Sequence, residues 1–424
     1  MILKYNEKDI DRGSDTMIIK ELNKETFQHL QDQYPASNFL QSAQMMTVQE
    51  RTNRFSAVES LGIYREGDQE IIGQVILVYR KRHRFFTEAL ALHGPLMAFD
   101  NPQLVTEVLL AIESYLRKKK VATFSFYPYA IETVRTADLE PLLDNQLSAT
   151  REAIQGLGYK ASFDPMQSTI VNTMFVKNLS SYSSVEDIHE AFSPSLKRDL
   201  KKFSALAVKV EELPDNRLDE FYQILQETGK RKGFAVQELS YFQKIKESFG
   251  NQAKFMLAYL DCQEYQDYLS QQIDHFETLI DQLKNGLQKK RTKGQIADAQ
   301  DQLNSYYKRK EQFIAMEIEG DKLPLSSYLF ICTDNEVVSF SGGNDERYMN
   351  FGGATLLHWD MIQFAFHQGV ERFNFYGTIE TDDARKGQGN FNFKRQFGGE
   401  LQTLPGQFTK HLNRFYSLIS NIRS

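Results

Sequence analysis

Residues 373–400 read FNFYGTIETDDARKGQGNFNFKRQFGGE, and this stretch guides the interpretation of the rest of the chain. Its first residues alternate apolar and polar side chains up to Gly377, which is typical of a half-buried β-strand that ends where the chain turns away. The segment 378–389 is polar and rich in glycine, too hydrophilic for a core and too long for a simple turn. Two phenylalanines then alternate with Asn and Lys over residues 391–394 and form a second apolar anchor. A rigid scaffold can present chemistry on such a loop, although the spacing alone fits an ordinary surface loop equally well.

The order of these signals resembles the Fem family, the tRNA-dependent aminoacyltransferases that build the side branches of peptidoglycan. That family carries an aromatic-rich strand ending in glycine, a variable loop, a Phe-Lys pair and a Phe-Gly-Gly. The matching positions are residues 373–377, Phe393-Lys394 and Phe397-Gly398-Gly399. The resemblance covers about residue 17 to the C-terminus. The streptococcal-type branch, which adds alanine or serine to a lipid-linked precursor, is the most similar.

Composition predicts a soluble globular protein, because 41% of the 424 residues are hydrophobic, and this length suggests two domains. A net charge of −6 argues against a generally basic nucleic-acid-binding protein, so we expect no DNA partner, but one local basic surface stays possible. The chain has two cysteines, Cys262 and Cys332, which fits a reducing cytoplasm and offers no zinc-finger spacing. No apolar run approaches the roughly 18 residues that span a bilayer. We therefore predict a cytoplasmic location, with peripheral contact at the inner face of the plasma membrane left open.

Helical and strand patterns alternate along the chain and then repeat, which favours a mixed α/β (α+β) fold. The predicted strands are Ile71–Tyr79, Ala122–Tyr129, Lys254–Leu260, Leu325–Thr333, Glu336–Gly342 and Arg372–Tyr376, and the predicted helices are Val105–Leu116, Val185–Leu206, Leu218–Lys230 and Thr355–His367. The resemblance implies that the two repeats are paired acetyltransferase-like (GNAT-like) domains without bound coenzyme A. We expect a disordered extension at 1–16, a first domain at 17–165 completed by 397–424, and a second domain at 166–396.

The resemblance also implies the site residues. In Fem proteins the Phe-Lys pair serves the tRNA acceptor end, so Phe393 is expected to pack there and Lys394 to bind phosphate or steady the oxyanion. Tyr376 and Gly377, at the end of the preceding strand, are expected to bind substrate. An arginine just before Gly-Phe contacts the diphosphate of the precursor in that family, and the matching residue is Arg231. Without the resemblance, a basic cluster at a helix end explains Arg231 equally well.

Two further substrate contacts are expected near the N-terminus. Gln41 and the serine after it match a Gln-Ser motif of Fem proteins, so Gln41 is a candidate substrate-binding residue. Many relatives place a lysine several residues later, on the phosphates of the precursor. Here Gln49 stands at the nearest equivalent position, and Arg51 is the next cation. An acidic residue that precedes proline in many relatives is replaced by Tyr127.

Between two predicted strands, apolar residues repeat with a heptad spacing that predicts an antiparallel coiled-coil arm at residues 263–316. The predicted seam contains Leu269, Ile273, Phe276, Ile280, Leu283, Leu287, Ile296, Ala299, Leu303, Tyr306 and Phe313. Residues 291–294 are predicted to supply the turn. Two helices of about 25 residues would extend on the order of 38 Å, too far for the interior of a compact domain, so the arm must project.

The tip of this arm is basic. The candidate tRNA-binding residues there are Lys284, Lys289, Lys290, Arg291 and Lys293. Such a cluster can grip a phosphate backbone, although solvated charge at a turn is the simpler explanation of the residues alone. Some Fem proteins carry a similar arm, which is also similar to the arm that seryl-tRNA synthetases place on tRNA. A docking arm for another protein is the main alternative.

The chain shows no metal-ligand spacing, no glycine-rich phosphate loop that opens a helix and no nucleophile elbow. We therefore expect no metal and no ATP, with aminoacyl-tRNA as a co-substrate whose ester is already activated. His358 and His367 lie on an apolar helix and are expected to be structural. A lysine-type acceptor amine has a pKa near 10.4, and a nearby cation and partial burial would favour its neutral form. Asp382 and Asp383 are candidate bases, but exposed loop acids are usually only solvated.

The resulting hypothesis is transfer of an amino acid of the Ala, Ser or Gly class from aminoacyl-tRNA to a peptidoglycan precursor, either lipid-linked or UDP-linked. The acceptor is the lysine-type amine of the stem peptide or an existing branch residue. Two alternatives stay open: an acyltransferase that acts on another amine such as a protein N-terminus, and a non-catalytic protein that docks a partner with its arm.

Overall fold

The computed structural model describes residues 17–31, 34, 37–65, 71–82, 85–162, 170–286, 290–378, 388–413 and 416. The extension that we predict at residues 1–16 lies outside them. The strands are β1 Met17–Glu21, β2 Ala57–Arg65, β3 Ile71–Arg82, β4 Phe86–Ala91, β5 Thr123–Phe126, β6 Thr133–Thr136, β7 Pro141–Leu143, β8 Lys160–Ser162, β9 Thr173–Asn178, β10 Val208–Glu212, β11 Ala253–Asp261, β12 Lys322–Cys332, β13 Glu336–Asn344, β14 Arg372–Gly377, β15 Glu400–Thr403 and β16 Gln407–His411. The α-helices are α1 Lys24–Gln31, α2 Ala43–Glu50, α3 Pro102–Lys118, α4 Ser148–Gly156, α5 Val185–Glu190, α6 Pro194–Ser204, α7 Leu218–Lys232, α8 Leu239–Phe249, α9 Cys262–Asn285, α10 Lys290–Ile314, α11 Gly353–His367 and α12 Gln388–Arg395.

The strands form a seven-stranded sheet in the order β1-β2-β3-β4-β5-β16-β8 and a nine-stranded sheet in the order β10-β11-β12-β13-β14-β9-β15-β6-β7. Each sheet contains a parallel pair, β4 with β5 and β13 with β14, within otherwise antiparallel pairings of the described strands. A crossover is required between parallel neighbours, and α3 and α11 provide it. The same unit therefore occurs twice, which confirms the prediction of two repeated α+β units.

The chain after Phe397 contributes to both sheets. Strand β15 pairs with β9 and β6 in the nine-stranded sheet, and β16 pairs with β5 and β8 in the seven-stranded sheet. We predict that the segment 397–424 completes the first domain, and its described residues supply one strand to each sheet. Strands β6 and β7, from the first half of the chain, also lie in the nine-stranded sheet.

The apolar core follows the faces of the two sheets. Helix α3 is amphipathic and buries five apolar residues against β5 and β16, where Phe124, Phe126 and Phe408 lie. Asn101 caps the N-terminus of α3, and Pro102 is its first residue. Arg117 and Lys118 lie in the last turn, where positive charge is favourable. On the nine-stranded sheet, one cluster packs beneath α11 and α12, and another joins α7 and α8 to α2. This last cluster connects the two halves of the chain.

Most predicted elements are confirmed within two or three residues, but two helix predictions need correction. The helix predicted at 185–206 is broken into α5 and α6, because Pro194 starts a new helix and the hydroxyl of Ser193 accepts the N–H of Leu196 at its N-terminus. The alternation at residues 391–394 is part of helix α12 rather than an extended anchor. Phe391 and Lys394 are both buried and lie three residues apart, which is a helical spacing.

The arm is an antiparallel hairpin of α9 and α10, as the heptad spacing predicts. Ile273, Ile280, Ala299 and Leu303 form its own buried cluster, and Leu269 and Phe313 join the core at its base. The predicted turn is wrong: α9 ends at Asn285, α10 already begins at Lys290, and residues 291–294 form its first turn. Leu287 and Lys289 lie outside the described residues. No helix in the described part of the chain is both long and apolar enough to cross a membrane.

We expect His93 to make the protein sensitive to acid. Its ring is 1% exposed, neither ring nitrogen has a partner among the described residues, and burial lowers its pKa to about 3. The folded state therefore favours the neutral ring, and stability falls by up to about 1.4 kcal/mol per pH unit as pH drops below the unfolded value near 6.5. The variant His93→Asn keeps a side chain that tolerates the positive φ of 52° and cannot titrate in this range.

Urea titrations at pH 5 and pH 7.5 measure this effect. The free energy of unfolding should differ less between the two pH values in His93→Asn than in the natural protein. An equal difference in both proteins would show that His93 is not the source of the acid sensitivity.

Candidate active site

The site lies where the parallel pair of the nine-stranded sheet opens. Strands β13 and β14 pair at Glu336–Val338 with Arg372–Asn374 and then diverge. A cavity of about 500 Å³, here called the basic cavity, fills this opening between the strand ends, α7, α11 and α12. Gly343 forms part of its wall, where an added Cβ would meet the hydroxyl oxygen of Thr228 at 2.2 Å. Glycine at this position therefore allows α7 to approach the sheet.

Lys394 projects from α12 into the basic cavity. Its side chain is 6% exposed, and its Nζ donates to the carbonyl oxygen of Tyr376 at 3.1 Å and to that of Gly377. Burial, with a smaller contribution from the charge of Lys232, lowers the pKa of Lys394 to about 7. The structure therefore brings together four of the predicted site residues, Phe393, Lys394, Tyr376 and Gly377. It leaves the lysine close to its titration point at neutral pH.

Phe393 and His358 form the apolar side of the cavity. The Phe393 ring meets the rings of His358 and Phe397 edge-on, with centroids 5.3 Å apart in each pair. Nδ1 of His358 lies 2.8 Å from the carbonyl oxygen of Ala354 and must donate there, so Nε2 accepts the hydroxyl of Ser339 at 3.1 Å. Burial lowers the pKa of His358 to about 4. The ring is thus neutral and its contacts are those of the structural residue that we predict.

The charge in the basic cavity is positive. Lys232 lines the cavity with Lys394, and no Asp or Glu does so among the described residues. Partial desolvation and the charge of Arg231 lower the pKa of Lys232. The predicted cation, Arg231, instead pairs with Glu346 at 3.2 Å and does not line the cavity. Successive residues of a helix point about 100° apart, so the sequence could not decide which member of this pair faces the cavity.

Gln41 and Arg51 lie away from the basic cavity. The side chain of Gln41 is 1% exposed, its oxygen accepts the N–H of Ile76 at 2.8 Å, and its nitrogen donates to the carbonyls of Ile76 and Leu92. These bonds use both ends of the amide and give Gln41 a structural role, and its contact with substrate stays a prediction. Arg51 pairs with Glu247 on the surface between α2 and α8.

A second cavity of about 510 Å³, here called the junction cavity, lies between residues of both halves of the chain. Its wall is largely apolar, with Met97, Phe99 and Met174 among the lining residues. Glu336 also lines it, is 4% exposed and accepts from Tyr129 Oη at 3.0 Å and from Arg372 Nε at 3.3 Å. Burial raises the pKa of this carboxyl group. The junction cavity therefore touches the start of the β13–β14 pair, and the basic cavity touches its end.

The basic arm tip forms a third, separate feature. Arg291 and Lys293 are exposed in the first turn of α10, which begins at Lys290, and Lys284 is exposed near the end of α9. Cations are unfavourable at a helix N-terminus, so the stability of α10 does not explain them. Lys289 and the two candidate bases, Asp382 and Asp383, lie outside the described residues. Within the described part of the chain, no group of three or more His, Cys, Asp or Glu could hold a metal ion.

Comparison with known proteins decides the family. The sequence model of the FemAB family matches residues 22–423. The chain belongs to the FemAB family. It is 28% identical over 329 residues to aminoacyltransferase FemB of Staphylococcus epidermidis, which covers 76% of this chain and 78% of the relative. It is 23% identical over 366 residues to aminoacyltransferase FemA of Staphylococcus aureus, covering 82% and 85% of the two chains.

The fold of this FemAB protein is that of FemX. The crystal structure of FemX superposes with a TM-score of 0.72 at 18% identity and covers 95% of this chain and 99% of that chain. The family and these relatives identify an aminoacyltransferase. The sequence analysis missed Lys232 and Ser339, which line the basic cavity, and the buried Asn374 in the adjoining strand β14.

Proposed function

We propose that this FemAB aminoacyltransferase moves an amino acid of the Ala, Ser or Gly class from aminoacyl-tRNA to the amine of a peptidoglycan precursor. The acceptor is the lysine-type amine of the stem peptide or an existing branch residue. The observation that carries the proposal is the position of Lys394, held by the Tyr376 and Gly377 carbonyls inside a cavity lined by a second lysine.

The basic cavity suits the acceptor end of the tRNA. Lys232 and Lys394 supply positive charge where a terminal phosphate can bind, and no described acid in the lining opposes it. Phe393 presents an aromatic ring at the same wall, and nucleic-acid bases stack on such rings.

The chemistry requires positioning more than a reactive protein group. The neutral acceptor amine attacks the ester carbonyl, a C–N bond forms, and the C–O bond to the tRNA ribose breaks. The ribose oxygen leaves with a proton, while the attacking nitrogen loses one, so no other reactant is consumed. Lys394 in its charged form would donate a hydrogen bond to the developing oxyanion, and its charge would also favour the neutral amine. The proton transfer is assigned to the substrates themselves, and we propose no metal, ATP or coenzyme A.

The junction cavity suits the acceptor peptide. Its apolar wall can cover aliphatic parts of the peptide. The precursor can be lipid-linked or UDP-linked, which places the reaction in the cytoplasm, with a lipid-linked precursor at the inner face of the membrane.

A transfer assay tests this function. The protein is mixed with tRNA charged with alanine, serine or glycine and with lipid-linked or UDP-linked precursor. We expect loss of the aminoacyl group from one charged tRNA and a gain of one residue mass on the precursor, measured by mass spectrometry. A reaction without precursor controls for spontaneous hydrolysis of the ester.

Two outcomes would contradict the proposal. Discharge that requires a protein acceptor instead of the precursor would favour an acyltransferase of protein N-termini. No discharge with any charged tRNA and acceptor would favour a non-catalytic protein whose arm docks a partner.

A further inference from the structure

Asn374 is a fully buried polar residue in the middle of β14. It is 0% exposed, although a buried amide is costly unless hydrogen bonds satisfy both of its ends. Its oxygen accepts the backbone N–H of Tyr376 at 2.7 Å, and its nitrogen donates to Glu336 Oε1 at 3.0 Å. The two partners fix which way the amide points, because one is a donor and the other an acceptor.

The bond from Tyr376 to Asn374 stabilises a break in the strand. Tyr376 has a φ of 59°, in the left-handed region that side chains other than glycine, asparagine and aspartate rarely adopt. The pairing with β9 shifts at the same place, since Asn374 faces Val176 but Gly377 already faces Met174. One extra residue therefore stands in β14, which defines a β-bulge. An Asn side chain that bonds to the N–H two residues later is a common way to hold such a turn.

This bulge explains how Lys394 is held. In a regular strand, successive carbonyl groups point to opposite sides, so two adjacent carbonyls cannot serve one amine. Here the carbonyls of Tyr376 and Gly377 both accept from Lys394 Nζ. The irregular backbone between Asn374 and Gly377 turns them to the same side. The position of the amine thus depends on the bulge, and the bulge on the Asn374 oxygen.

The other end of Asn374 is anchored by a charged cluster. Glu336 is the register partner of Arg372 across the parallel pair, and it bonds to Arg372, Tyr129 and Asn374. Arg372 continues to the side-chain oxygen of Gln402 at 3.0 Å. This cluster comes from several strands and the segment after β5, so the Asn374 amide cannot rotate without breaking bonds in more than one element.

We infer that Asn374 is a positioning residue for the transfer reaction: its amide oxygen holds Tyr376 in the bulge that turns two adjacent carbonyls toward the amine of Lys394. This inference rests on the proposed function of Lys394 in aminoacyl transfer. Asn374 does not line either cavity and does not touch substrate. It acts on Lys394 indirectly, by holding the backbone of Tyr376 and Gly377 in place.

The test compares Asn374→Ala with Asn374→Ser. Alanine removes the acceptor for the Tyr376 N–H, whereas serine keeps a shorter and weaker one. We expect kcat to fall roughly 10²-fold in Asn374→Ala, because a misplacement of about 1 Å at a reacting group costs that much, while KM for the precursor changes little. Asn374→Ser should recover part of this loss. The matched control is Ser327→Ala, which removes another buried hydrogen bond of the same sheet, from Ser327 Oγ to the Met256 carbonyl.

A second measurement does not depend on transfer. Brief acylation with acetic anhydride, read by peptide mass spectrometry, reports how well Lys394 is protected relative to Lys410 of the seven-stranded sheet. We expect the ratio of Lys394 to Lys410 labelling to rise severalfold in Asn374→Ala, less in Asn374→Ser and not at all in Ser327→Ala. If no variant or natural protein transfers amino acids but the ratio still rises, the positioning stands and the proposed function fails.

Equal labelling of Lys394 in the natural protein and Asn374→Ala would overturn the inference, even if kcat falls. A similar loss of kcat in Ser327→Ala would also overturn it, because general destabilisation would then be the cause. If Asn374→Ala does not fold, the comparison of Asn374→Ser with the natural protein decides, and unchanged labelling and kcat in that variant would reject the role.

Discussion

Replacing Lys394 with methionine is expected to lower kcat for aminoacyl transfer by about 10²- to 10³-fold, the usual loss when a donor to a developing oxyanion is removed. Methionine has a similar length but neither charge nor donor. The carbonyls of Tyr376 and Gly377 then lose their shared partner, which costs about 1–3 kcal/mol of stability. The fold should survive, because the rest of the apolar cluster around α12 is unchanged. Single-turnover discharge of aminoacyl-tRNA, with circular dichroism on the same sample, measures both effects.

The matched control is Lys410→Met. Lys410 is also a largely buried lysine, paired with Glu113 in the seven-stranded sheet, and it lies in neither cavity. This variant should lose stability but keep transfer within a factor of about three, since a change away from the reacting groups leaves their geometry intact. Natural rates in Lys394→Met would remove Lys394 from the site, and equal losses in both variants would show that stability alone is responsible.

Removing charge from the arm tip is expected to weaken tRNA binding and its dependence on salt. The double variant Arg291→Gln with Lys293→Gln removes two exposed cations from the first turn of α10. If each contacts a phosphate, the slope of log K against log salt should become shallower by about one for each residue. Melting temperature should not fall, because cations are unfavourable at that helix end. Filter binding of tRNA at salt concentrations from about 50 to 200 mM measures the slope. Affinity that depends on phosphate contacts changes strongly over this range.

The control variant loses the same number of positive charges, but at the base of the arm instead of its tip. Lys308→Gln with Arg309→Gln removes two exposed cations near the base of α10. This variant should leave the slope unchanged. A tip variant that binds tRNA with the natural salt slope would contradict the tRNA-binding role and would favour a protein-docking arm.

The spacing of apolar residues in local segments predicted much of the fold correctly. Period-two apolar alternation located β14, and the amphipathic spacing located α3, because those periods follow directly from backbone geometry. The continuous apolar run at residues 71–79 located β3. The heptad spacing likewise predicted the arm. Predictions failed where short segments fit both periods, as at residues 391–394, and where a turn depended on residues outside the pattern, as at the tip of the arm. The Phe-Lys pair was recognised from the order of motifs, and Lys394 does lie in a cavity.

The tertiary structure decided which polar residues meet. The sequence by itself determined two repeated α+β units, an inserted helical hairpin and the family to which the chain belongs, because each of these depends on local period or on the order of motifs. It could not show that Lys232 rather than Arg231 faces the cavity. Nor could it show that the Gln41 amide is hydrogen-bonded to backbone groups, or that the Asn374 oxygen accepts the N–H of Tyr376. The first two of these arrangements bring together residues that are far apart in the chain, and all three depend on side-chain direction and strand register. The local spacing of residues does not determine side-chain direction or strand register, because both depend on how the sheets and helices pack together.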